Sequence, residues 1–77
     1  SVSYNQLTYI PETIGNLTKL KYLCFSGNKL MYLPDAIGKL LKLNDLFLLD
    51  NPISMQERQR IAQHIQPYLS NDCRIYW

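Results

Sequence analysis

Apolar residues in this chain return at a fixed step of 23 residues rather than at one helical or strand period. The step carries Leu7 to Leu30 to Ile53, Ile10 to Leu33, Ile14 to Ile37, Leu17 to Leu40, Leu20 to Leu43 and Leu23 to Leu46. It also carries Val2 to Phe25 to Leu48. Turn-forming residues keep the same register: Asn5, Asn28 and Asn51; Pro11 and Pro34; Gly15 and Gly38. A period in the twenties with this much agreement predicts one small unit stacked on itself.

Within a unit, Leu23-Cys24-Phe25 and Leu46-Phe47-Leu48 alternate with period 2, so each predicts a short strand with alternate side chains inward. The Asn follows where the chain must turn, and an inward amide can serve both donors and acceptors of a buried turn. Pro11 to Gly15 and Pro34 to Gly38 then suit a helical turn opened by Pro and closed by Gly. Strands stack in parallel and short helical turns lie opposite. The predicted class is α/β.

The step fails after Ile53. A fourth unit would bring Leu-Pro near residue 56, where the chain instead has Gln56-Glu57-Arg58. Ser54-Met55-Gln56-Glu57 is a capping-box sequence and predicts a true helix, with Ile61, Ala62, Ile65, Tyr68 and Leu69 as its apolar stripe. Pro67 should kink or end that helix, leaving a last turn over 67–70. Asn71-Asp72 is a turn pair, and Cys73 to Trp77 reads as a strand with Cys73 and Ile75 on one face. A stack must close its last unit with something different, and helix plus strand would do so.

Leu-x-x-Leu-x-Leu-x-x-Asn-x-Leu followed by Leu-Pro-x-x-Ile-Gly resembles the leucine-rich repeat family in its 23-residue form, over residues 2 to 53. The resemblance implies a short right-handed solenoid with parallel strands on its concave side. Residues 1–53 then hold a partial first unit and two further units. Residues 54–77 look like the carboxyl-terminal cap of bacterial members. Ser1 enters halfway through a coil, so Leu7, Ile10 and Ile14 are expected to face water, with self-association through this uncapped first unit.

Composition narrows the options. An apolar fraction of 47% is ordinary for a folded chain and argues against disorder. Net charge is +2 with the basic residues scattered, so no concentrated face for nucleic acid is expected. No apolar run reaches the roughly 20 residues of a membrane span, and Ser1 to Asn5 does not read as a signal peptide.

In the resembled family, residues beside the strand leucines contact partners from the concave face. Carried over, these positions are Ser1, Ser3 and Tyr4; Lys21, Tyr22, Cys24, Ser26 and Gly27; and Asn44, Asp45, Phe47, Leu49 and Asp50. Phe47 and Leu49 are apolar where solvent is expected. With Tyr4 and Tyr22, and with Asp45 and Asp50 at the edge, they could form an interaction patch. The alternative is packing, with the closing strand or Tyr76 and Trp77 covering them. The candidate binding set is Tyr4, Lys21, Tyr22, Cys24, Asp45, Phe47, Leu49 and Asp50.

Chemistry beyond binding finds little support. Cys24 and Cys73 are expected two ladder spacings apart, roughly 9.5 Å, beyond the reach of a disulfide. Thiols would favour a reducing compartment. His64 has Arg60 and Tyr68 at helix spacing rather than metal ligands, and reads as a solvated side chain. The Asn16-Leu17-Thr18 sequon borders a core position and reads as chance. Lys19, Lys29, Lys39 and Lys42 read as one solvated flank. The chain is therefore expected to be a protein-interaction module binding a protein or peptide, with no enzymatic activity, cofactor or metal. The alternatives are a piece that closes a longer repeat array, or the substrate-recruiting part of a larger enzyme.

Overall fold

The computed structural model describes residues 5–77; Ser1, Val2, Ser3 and Tyr4, and the expectations placed on them, lie outside the described residues. Among the described residues three short strands, β1 (Tyr22–Cys24), β2 (Asp45–Phe47) and β3 (Arg74–Tyr76), form one parallel sheet in chain order. Leu23, Leu46 and Ile75 share a rung and point inward, as the period-2 pattern requires. β1 and β2 each begin one residue earlier than the Leu-x-Leu reading, and β3 begins one residue after Cys73. Hydrogen bonding nevertheless runs past the last strand residue. The Phe25 amide donates to the Phe47 carbonyl at 2.9 Å, and the Leu48 amide to the Tyr76 carbonyl at 2.7 Å.

Parallel strands need a long crossover, and here the return side of each coil supplies it. Two 3-10 helices, Glu12–Asn16 and Asp35–Lys39, pack on one another 23 residues apart. Pro11 and Pro34 precede them at φ −65° and −71°, close to what the ring allows, so the entry conformation is fixed in advance. The expected Gly stop is not what occurs: both helices run one residue past the glycine. Gly15 instead permits close approach, since a Cβ there would lie 2.9 Å from the Ala36 carbonyl oxygen of the next coil.

In the third coil the return is α1 (Met55–His64) followed by a 3-10 turn, Gln66–Tyr68. The Ser54 hydroxyl accepts from the Glu57 amide at 3.0 Å, which is half of the capping box. The other half is replaced, because the Glu57 carboxylate turns to Leu33 and Arg60. Pro67 sits in the 3-10 turn, where the α-helix has already ended. Ile61, Ile65 and Leu69 are buried, whereas Ala62 and Tyr68 of the expected stripe are exposed. Cys73 and Ile75 pack against the core together, as read from the sequence.

The core runs through the stack from Ile10 to Leu69. Ile10, expected to face water, is buried; Leu7 and Ile14 are half-buried. Leu17 is the position that meets solvent, at 51% exposure.

Candidate functional site on the strand face

The asparagines that set the register also hold the strand face in shape. Asn28 Oδ1 accepts from the Leu7 amide of the preceding coil at 3.1 Å, while its Nδ2 donates to the Phe25 carbonyl at 2.8 Å. Asn51 repeats this one coil on, accepting from Leu30 at 3.0 Å and donating to Leu48 at 3.0 Å. It also donates to the Phe25 carbonyl at 2.9 Å, so one amide ties two coils. Buried backbone groups at these turns would otherwise lack partners.

Two outward rungs result. One is Tyr22, Asp45 and Arg74; the other is Cys24, Phe47 and Tyr76. On the first, aromatic, acidic and basic side chains lie side by side, with Tyr22 61% exposed. On the second, Phe47 and Tyr76 stack with ring centroids 4.6 Å apart and planes 10° from parallel. The rungs are joined by the Tyr76 hydroxyl, which donates to Asp45 Oδ1 at 3.2 Å. Hydrogen bonding to Tyr76, and then the Asp45 charge, raise the Arg74 pKa above its ordinary value. Opposite charges side by side on neighbouring strands attract.

Of the residues read from the sequence, Tyr22, Cys24, Asp45 and Phe47 fall on these rungs. Lys21 is exposed just ahead of β1, and its carbonyl accepts from Asn44 and Asp45. Leu49 lies past the strand at 41% exposure, its carbonyl accepting from Gly27. Asp50 adopts φ 60° in the turn, the same repeat position as Gly27 at φ 72°. Tyr4 lies outside the described residues.

Arg74 and Tyr76 are additions the repeat pattern could not supply, because the cap strand lies outside the 23-residue register. The signal was their alternation with Cys73 and Ile75, which puts them on the opposite face.

The thiols do not form a disulfide. Burial, then the Asp45 charge, push the Cys73 thiol above its usual pKa, away from nucleophilic use. Among the described residues no helix is long and apolar enough to cross a membrane.

The strongest electrostatic cluster is structural. Arg60 Nε and Nη2 grip both Glu57 carboxylate oxygens at 2.7 and 2.9 Å, and Nη1 reaches Asp35 at 2.6 Å. Between them they serve both backbone groups of Leu33: Glu57 accepts its amide at 3.1 Å, and Arg60 donates to its carbonyl at 2.6 Å. Glu57's pKa is lowered, first by its hydrogen bond to Arg60. In effect two side chains of the cap helix bind the backbone of the coil beneath.

Comparison with known proteins agrees with this geometry. Residues 19–40 match the Leucine Rich Repeat family model. A leucine-rich repeat protein of Leptospira interrogans is similar in structure, with a TM-score of 0.82 and 37% sequence identity. The match covers 95% of this chain and 17% of that one, so the chain spans about a sixth of its length. No curated protein matches. Stacked coils, asparagine-tied turns and both likenesses make this chain a leucine-rich repeat protein.

Proposed function

We propose that the chain is a non-enzymatic recognition module that binds a protein or peptide on the concave strand face. The single observation that carries this is the mixed rung of Tyr22, Asp45 and Arg74 beside the Phe47–Tyr76 stack. Aromatic anchors framed by opposite charges are typical of interaction hot spots. Because the parallel ladder fixes their backbone, little conformational entropy is lost on binding. Lys21, Cys24, Leu49 and Asp50 frame the patch.

Peptide selection from a displayed random library, followed by affinity measurement on variants, tests the reading. Tyr22→Ala and Arg74→Gln should each weaken selected peptides by about ten-fold or more while leaving the thermal midpoint nearly unchanged. Phe47→Ser separates binding from packing, since its stack with Tyr76 gives it a share in both. Peptides that bind the wild type and all three variants equally would overturn the assignment.

A second reading has its own observation. Leu17 is 51% exposed while its repeat partner Leu40 is fully buried, so the first coil presents apolar surface. Another coil of the same kind, including one from a second copy, would cover it. Light scattering over a hundred-fold dilution tests the self-associating form; an unchanging monomer mass would exclude it.

A further inference from the structure

The flank leading from each asparagine turn to its proline carries a second patch, distinct from the strand face. Tyr9 and Tyr32 occupy the same repeat position in consecutive coils and are 64% and 61% exposed. Between them and the cap helix runs a cleft of about 520 Å3, lined also by Pro34, Glu12, Asp35 and the Glu57–Arg60 pair. A second cleft of about 360 Å3, lined by Met31 and Pro52, shares Tyr32, Glu57 and Arg60 with it. Two neighbouring clefts that share these three residues suit an extended chain better than a compact ligand.

Charge indicates which chain. Three carboxylates face one guanidinium, a surplus of two negative charges on a protein whose net charge is +2. Arg60 offers an anion almost nothing. A guanidinium has five N–H groups, and Arg60 already spends four of them on Glu57, Asp35 and the Leu33 carbonyl. Glu12 and Asp35 are exposed. Exposed tyrosine rings attract cations over their faces, and proline-rich extended segments dock in aromatic-lined grooves.

We propose that this flank cleft docks an extended, lysine- or arginine-bearing segment of a partner protein, with its cation over Tyr9 or Tyr32 and near Glu12 and Asp35. The proposal is independent of the strand-face reading. It is tested by titrating the whole chain with a blocked decapeptide of alternating lysine and proline, and with its glutamate–proline counterpart, following backbone amide resonances. The cationic peptide should shift the amides of Tyr9, Ile10, Glu12, Tyr32, Leu33 and Asp35, and Tyr22→Ala should leave its affinity unchanged. Glu12→Gln and Tyr9→Ser should each weaken it by roughly two- to five-fold. Both side chains are exposed, so an unchanged thermal midpoint confirms that folding is not the cause. Shifts confined to the strand face, equal binding of the glutamate peptide, or full affinity in both variants would overturn the proposal.

Discussion

The first and second coils use nearly the same residues and bury them differently. Leu30, Ile37, Leu40 and Leu43 are fully buried, while their partners one repeat earlier, Leu7, Ile14, Leu17 and Leu20, are not. Chemistry at each pair is matched, so the difference comes from what stacks next. The second coil is covered by the cap, with α1 and the turn at Gln66–Tyr68 packing on Asp35–Lys39. In a solenoid, burial belongs to the interface between units more than to the residue.

The largest expected effect breaks the symmetry directly. Leu40→Ala should cost about 3 kcal/mol, through lost burial and a residual cavity. That is a large share of the stability of so small a domain. Leu17→Ala, at the matched position, should cost under about 1 kcal/mol, because half its surface already meets water. Urea melts of the two variants check this. Equal losses would mean that the first coil is covered in solution, and a Leu17→Ala loss that grows with protein concentration would identify a second copy as the cover.

The cap's hold on the second coil is the next place to press. Arg60→Ala should cost about 2 kcal/mol, because it strands the Glu57 carboxylate and leaves the Leu33 carbonyl unserved. The same pair gives a pH signature. Glu57's folded pKa lies below its ordinary value of 4.5, so its contribution is present above that value and is lost as pH falls through the lowered one. The stability gap between wild type and Glu57→Gln should therefore shrink between pH 7 and pH 3. A gap constant across that range would show that the charge contributes nothing.

Much of the stack was legible because interiors of repeats write themselves into sequence periodicity. Leu23 with Leu46, the asparagine turns and the parallel order all follow from one step. The cap was legible for another reason, since Ser54 and Pro67 carry local backbone rules that need no register. What could not be read was cross-element chemistry. Glu57 looked like a partner for its own helix's N-terminus, yet it binds Leu33, 24 residues away in the chain. Gly15 looked like a helix stop, yet its lack of a Cβ serves the next coil. Ile10 looked exposed, and is buried. The candidate strand face was half visible: Tyr22, Asp45 and Phe47 followed from the repeat, whereas Arg74 and Tyr76 belong to a strand outside it.

The smallest effect concerns a position where the second and third coils agree. Gly27 and Asp50 share a repeat position and both adopt positive φ, at 72° and 60°. Unlike burial, this conformation is set within each coil by the turn itself, so it does not depend on which neighbour stacks alongside. A left-handed backbone costs most side chains about 1 kcal/mol; aspartate bears it more easily, and glycine bears none of it. Asp50→Gly should therefore raise stability by about 0.5 kcal/mol, the relief being partly offset by the freer unfolded chain. Asp50→Val should lose at least about 1 kcal/mol, since a β-branched side chain fits that region poorly. If valine were tolerated as well as glycine, the turn would not be imposing its geometry, and the likeness between the two coils would stop at their leucines.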